Sequence, residues 1–256
     1  VDDFAARVPG TWRAHGGVML PMYQSEALWL NFDAPHDYPF ALKIATGKIN
    51  AVTGEGWRDG LNADPQDYVV VPGQPWLDGY CVERGVIRQF VAMPLGSGYS
   101  TEEQITGRAE HGGVQLVAYP MKREYYERLR RGRASSAFQV AEADTFACSL
   151  AAPDMGLAPG GRMEQEIYDD EHPFDAWDLR QRGRCFVHLA NSLVWRAITG
   201  ANPLTTPPTA EEYTRAGLPW FAYYSDGLDA VPGADRLRGL KSVAQMGTEK
   251  GEVPSQ

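Results

Sequence analysis

Residues 75–94, PWLDGYCVERGVIRQFVAMP, set Asp78, Glu83, Arg84 and Arg88 among aromatic and β-branched residues. A carboxylate and a guanidinium beside flat rings are the parts of a ligand site. Arg88 can hold an anionic or carbonyl group, Asp78 or Glu103 can act as acid or base, and Trp76 and Tyr80 offer stacking surface. Strand alternation along GVIRQFVAM puts Val86, Arg88 and Phe90 on one face and Ile87, Gln89, Val91 and Met93 on the other. A polar side chain interrupts each apolar face, so one of the two is buried or lies at a cleft. A buried Arg88 needs a carboxylate to offset its desolvation, and Asp78, Glu83, Glu102 and Glu103 are the nearest acids in sequence. The plain alternative is a structural ion pair with ordinary surface acids around it.

A second pair of acids stands in RMEQEIYDD (162–170). Two residues of strand rise put Glu164 and Glu166 on one side, with Cα atoms about 6.5–7 Å apart. Paired carboxylates can divide acid and base work or hold a hard cation; alternating glutamates on a solvent face are the ordinary alternative. His188, within CFVHLANSLVWRAITG (185–200), shares a stripe with Cys185, Ser192 and Trp195 if the segment is helical. That stripe offers two metal ligands or a base beside a hydroxyl, yet the remaining partners of either scheme are missing nearby, and a lone His among Phe, Val and Leu is ordinarily a core residue. His15, His36, His111 and His172 sit in Gly-, Pro- or acid-rich loops at no ligand spacing, so no metal site is read. The chain has no P-loop, no GxGxxG after a strand, no HExxH and no GxSxG, and no cofactor is expected. Among 7 Trp and 12 Tyr, Trp12, Trp57 and Trp76 fall in loops or at strand edges, where they can stack on a sugar ring or other small ligand.

A β-rich scaffold must carry these side chains. ALWLNF (27–32), PFALKIA (39–45), DYVVV (67–71), GVIRQFVAM (85–93) and GGVQLVAYPM (112–121) are short, β-branched or aromatic, and bounded by Gly, Pro or Asp, which predicts strands. The connections 53–66 and 94–107 are too short and too punctuated for βα crossovers, so antiparallel pairing is expected. MKREYYERLRRGR (121–133) predicts a short exposed helix from the spacing of Tyr125 and Leu129. Residues 135–161 start as a strand and run into a Gly/Pro-rich loop. That loop divides a β-rich half (1–134) from a mixed α+β half (135–246) packed on it as one compact unit. TAEEYTRAG (209–217) carries a capping box in Thr209 and Glu212, and residues 247–256 read as a flexible tail. The fold class is α+β, mainly β: an antiparallel β-sandwich or barrel core with a few short helices, mostly in the C-terminal half.

A chain of 256 residues with 43% hydrophobic and 22% charged residues can build a full core. The net charge of -9 argues against nucleic acid and anionic membrane partners, although residues 121–133 form a local basic exception. Three cysteines without a CxxC pair fit a reducing, cytoplasmic setting. No apolar run approaches the ~20 residues of a membrane helix, and VDDFAARVPG lacks a signal-peptide pattern. Oligomeric state is not written in the sequence.

The stretches 67–107, 112–122, 162–170, 184–200 and LKSVAQMGTEKGE (240–252) resemble a family of uncharacterised bacterial and fungal proteins. The resemblance covers most of the chain and implies an intact domain; it brings no activity, cofactor or catalytic residue with it. Three readings follow. A binding module would hold a small or glycan-like ligand in a cleft near residues 76–104 with Trp76, Asp78, Tyr80 and Arg88. A cofactor-independent acid–base enzyme, hydrolase- or lyase-like, would draw on Glu103, Glu166 and His188. An interaction protein in a larger assembly would show an exposed apolar edge or patch instead of a pocket. Convergence of residues 76–104 with 164–192 on one pocket would favour the enzyme; an open aromatic platform would favour the binder.

Overall fold

The computed structural model describes residues 1–133, 154–204, 206–207 and 229–252. The strands in chain order are β1 Val18–Pro21, β2 Ala27–Leu28, β3 Leu30–Asn31, β4 Phe40–Thr46, β5 Ile49–Asn50 and β6 Val69–Val71. They continue with β7 Trp76–Leu77, β8 Gly79–Glu83, β9 Val86–Pro94, β10 Val114–Pro120, β11 Asp154–Glu164 and β12 Gly183–Ala190. The described α-helices are α1 Gly10–His15, α2 Thr101–Thr106, α3 Arg123–Arg133, α4 Ser192–Thr199, α5 Asp235–Arg238 and α6 Val243–Lys250. Each of the five expected strand segments holds a strand, and the basic segment forms α3. Three of these helices precede residue 134.

Ten strands form one sheet in the order β2-β9-β11-β12-β10-β4-β5, with β8 also on β9, β6 on β4 and β1 on β12. All pairs in it are antiparallel except β1 with β12. Strand β12 serves as the hinge of the sheet. Val187 stands opposite Val114 of β10 and Leu189 opposite Met155 of β11, so one strand passes from one wing to the other. The wings then meet again, because the Cys81 N–H of β8 donates to Ala51 O beyond β5 at 3.0 Å. The result is a sandwich that closes toward a barrel. Ile44, Val69, Leu77, Tyr80, Ile87, Phe90, Val114, Leu157 and Leu189 fill its interior. Strands from both expected halves share this sheet and this core.

Some elements differ from the sequence reading for identifiable reasons. Residues 154–161, expected as loop, belong to β11, whose register with β9 shifts between Pro159 and Arg162. Gly160 makes that bulge possible: a Cβ there would stand 2.6 Å from Val91 Cγ2. His188 lies on β12 and not on a helix. Helix α4 begins only after Asn191, whose side chain accepts from the Leu193 N–H at 2.9 Å. The expected tail is helical through Lys250. Its end is fastened by the Tyr99 hydroxyl donating to Glu252 Oε2 at 2.5 Å and by Lys250 over the Tyr99 ring at 3.9 Å. The expected helix 209–217 lies outside the described residues.

The 53–66 connection is held from within. Lys43, 2% exposed, donates to Asp67 Oδ2 at 2.6 Å, Arg58 O at 2.8 Å and Gly60 O at 2.9 Å. All three ammonium protons are thus used, which is the condition for burying such a charge without heavy loss.

Candidate functional site

The segment from Ala27 to Asp33 alternates cleanly. Ala27, Trp29, Asn31 and Asp33 are exposed, while Leu28, Leu30 and Phe32 pack on the core. It pairs first with β9, Leu28 opposite Phe90, and then leaves it for β7, Leu30 opposite Leu77 and Asn31 opposite Trp76. Continuing that register by one residue sets Trp29 beside Asp78, where β2–β3, β7–β8 and β9 meet. The Phe90 N–H donates to Asp78 O at 2.8 Å, and Gly79 faces Gln89 in the next pair. Gly79 is required there, since a Cβ would lie 1.9 Å from Arg88 O. By register and alternation Asn31 and Trp76 share one side of this ribbon with Trp29, while Asp78, at the break between β7 and β8, is buried. The Trp76 side chain acts on the Asp78 carboxyl, lowering its pKa against the larger effect of burial.

Two buried glutamines hold the ribbon in place. Gln74 Nε2 donates to Trp76 O and Glu166 O, both at 3.1 Å, and Gln74 Oε1 accepts from the Tyr168 N–H at 3.1 Å. Gln165 Oε1 accepts from the Asp78 N–H at 3.0 Å, and its Nε2 donates to Trp76 O at 3.3 Å. Asp78 is therefore fixed at its backbone, yet its side chain is under-served. It is 7% exposed, and its Oδ1 has no hydrogen-bond partner among the described residues. Burial pushes its carboxyl above the ordinary aspartate range, partly opposed by the Trp76 hydrogen bond. Trp29 makes the opposite departure, with 62% of its surface in solvent.

The other expected site residues are placed as follows. Tyr80 is fully buried, with its hydroxyl 2.6 Å from Thr46 Oγ1 and donating to Leu157 O at 3.0 Å. It ties the two wings together inside the core. Arg88 is half-buried and donates Nη1 to Gly160 O at 3.3 Å. Burial, then the nearby Arg162, lowers its pKa, while Glu83 acts the other way. Glu83 itself is bound by Arg162 and lies 3.9 Å from Arg238. Glu103 closes a capping box with Ser100 at the start of α2. Its neighbour Glu102 is buried and accepts the N–H groups of Glu110, His111 and Gly112, each at 2.9 Å. Glu164 is exposed and Glu166 half-buried, its side chain near Gly85. His188 is buried against the Trp12 ring at 4.7 Å, with Nε2 2.9 Å from Gly16 O.

The backbone of Trp76 and Asp78 thus meets the Gln165 side chain, and Gln74 joins Trp76 O to Glu166 O. Among the described residues, no hydrogen bond, ion pair or ring contact joins any two of Glu103, Glu166 and His188. Sequence reasoning overlooked Trp29, although the polar phase of ALWLNF carries it. It also overlooked Gln74 and Gln165, whose role depends on contacts about 90 residues apart.

No family model matches the chain. Neither does any curated protein or any solved structure. The site is therefore read on its own chemistry. Among the described residues no group of three or more His, Cys, Asp or Glu is placed to hold a metal ion, and no helix is long and apolar enough to cross a membrane. An open groove of about 500 Å³ runs between α2 and the C-terminal helices, lined by Gln104, Ile105, Leu240, Lys241 and Met246. Its polar groups are occupied with each other: Gln104 exchanges hydrogen bonds with the Lys241 backbone, and Lys241 Nζ pairs with Glu249 at 2.6 Å. The ribbon face is the better site, because there a buried acceptor remains unmatched.

Proposed function

We propose that the protein is a β-scaffold that binds a small, glycan-like ligand on the outer face of the β3–β7 ribbon. The observation that carries this reading is Asp78, a buried carboxylate with an unmatched oxygen, set between Trp76 and the exposed Trp29. An unsatisfied buried acceptor costs about 1–3 kcal/mol, and an exposed indole gains nothing from burial. Both are expected where a partner completes the contacts. A sugar ring suits the pair, offering an apolar face to the indoles and hydroxyl donors to the carboxylate. The free thiols of Cys81 and Cys185 support a cytoplasmic setting.

The test is tryptophan fluorescence and calorimetry with neutral, acidic and amino sugars, on the wild type and on Trp29→Ala and Trp76→Phe. At least one sugar class should bind, and each variant should weaken it by about tenfold, the equivalent of ~1.4 kcal/mol of stacking. Saturable binding that both variants leave intact would move the site elsewhere. One observation favours a second reading: a carboxyl whose pKa burial raises above the ordinary aspartate range can serve as a general acid. In that case Asp78→Asn would abolish turnover of a bound glycoside while preserving its affinity.

A further inference from the structure

The sandwich leaves an open strand edge from Ala27 to Asn31. At its two ends Glu26 O accepts from the Ala92 N–H and the Phe32 N–H donates to Pro75 O, both at 2.8 Å. The even-numbered residues of the segment therefore turn their backbone groups inward, to β9 and β7. Alternation turns those of Ala27, Trp29 and Asn31 the other way, where no strand among the described residues pairs with them. Neither the N–H nor the carbonyl of Trp29 has a hydrogen-bond partner among the described residues. The side chains of the same three residues are exposed. Edges of this kind are ordinarily protected by a lysine, a proline or an inward charge. ALWLNF (27–32) carries no charge and no proline; the nearest acids, Glu26 and Asp33, flank it.

We infer that this edge pairs with the same edge of a second copy of the chain, antiparallel and centred on Trp29. A two-fold axis there sets Trp29 opposite its own counterpart and Ala27 opposite the counterpart of Asn31. Each outward pair exchanges two N–H···O bonds, so every outward backbone group from Ala27 to Asn31 is used. Charge selects a second copy as the occupant. An edge that meets itself must put no like charges face to face, and in this register Glu26 faces the counterpart of Phe32 and Asp33 that of Ser25. No acid meets an acid, although the chain carries a net charge of -9. The two Trp29 indoles become neighbours across the seam, and each covers apolar surface of the other. One short edge falls in the interface class below about 1,200 Å², so the dimer is weak, and screening of the like net charges by salt strengthens it. The inference does not depend on sugar binding, because pairing uses the backbone edge.

The experiment is sedimentation equilibrium of the full chain at low and high salt. The wild type should dimerise with a Kd between about 1 μM and 1 mM, tighter in high salt. Trp29→Lys sets two ammonium groups face to face at the axis, and Ala27→Pro removes an outward N–H that the fold itself does not use. Each should raise the Kd at least about tenfold while the variants stay folded by circular dichroism. Cross-linking reads the register. Under mild oxidation Trp29→Cys should link two copies beyond the wild-type background, since paired outward residues have Cα atoms about 5.5 Å apart. Ala27→Cys should not, because its own counterpart lies roughly 14 Å along the seam. A wild type still monomeric at about 1 mM overturns the inference, whatever else the edge binds. So does a dimer that neither Trp29→Lys nor Ala27→Pro weakens, and cross-linking of Ala27→Cys as ready as that of Trp29→Cys overturns the pairing centred on Trp29. None of these outcomes decides whether the monomer binds sugar.

Discussion

Replacing Asp78 by Asn should stabilise the protein at neutral pH. The exchange keeps shape and a carbonyl oxygen for the Trp76 indole, and it removes the buried charge. The sign follows from the direction of the shift. The folded carboxyl titrates above its free value of 3.8 because burial opposes ionisation. As pH rises past 3.8 the unfolded chain releases its proton first, so wild-type stability declines until the folded group has also ionised, and is level beyond that. The decline amounts to about 1.4 kcal/mol for every pH unit separating the two values, or roughly 3–6 °C of Tm per unit for a chain of this size. The variant lacks that decline. Urea unfolding followed by circular dichroism at pH 3.5, 5, 6, 7 and 8 gives the difference directly. The two proteins should coincide at the acid end and diverge in the variant's favour above it. A variant less stable at pH 7, or a difference independent of pH, would show that Asp78 is a structural carboxylate and would remove the main support for a ligand site.

Other substitutions probe the frame around the site. Lys43→Met should cost about 3–5 kcal/mol by stranding Asp67 and two carbonyls, and Lys43→Met with Asp67→Leu should recover most of it; additive losses in the double-mutant cycle would refute the buried-pair account. His188 is held below the ordinary histidine range by burial, partly opposed by the Gly16 hydrogen bond. Acidification through its unfolded pKa of about 6.5 toward pH 5 should therefore destabilise the wild type more than His188→Gln, and parallel pH–stability curves would contradict this.

The strands were legible because alternation and turn residues are local signals: Phe40–Thr46 and Val86–Pro94 read correctly from their own sequence. β11 was not, because Gly156, Pro159, Gly160 and Gly161 look like loop until Val91 and Gln89 are seen to need the space a side chain would take. The run CFVHLANSLVW contains a strand and a helix with only Asn191 between them, and its apolar content fits either. For the site, the residue types at 76 and 78 were legible, whereas the pairing with Trp29 is set by a cross-strand register between segments about 45 residues apart. Burial of Tyr80 and Lys43 could not be read locally either, since tyrosine and lysine are ordinarily found with their polar ends in water.

The hinge role of β12 also bears on how the protein is made. When Pro120 has left the ribosome, β9 and β10 each still present an edge that β11 and β12 will cover, and β1 waits for a partner in the order Val18 to Val187. At about 5–20 residues per second, several seconds of synthesis separate that point from Ala190. During this window the nascent chain carries open, apolar sheet edges of the kind that pair with neighbouring chains. Chaperone occupancy is expected to be highest there, and a polypeptide truncated near residue 134 would remain sticky until degraded.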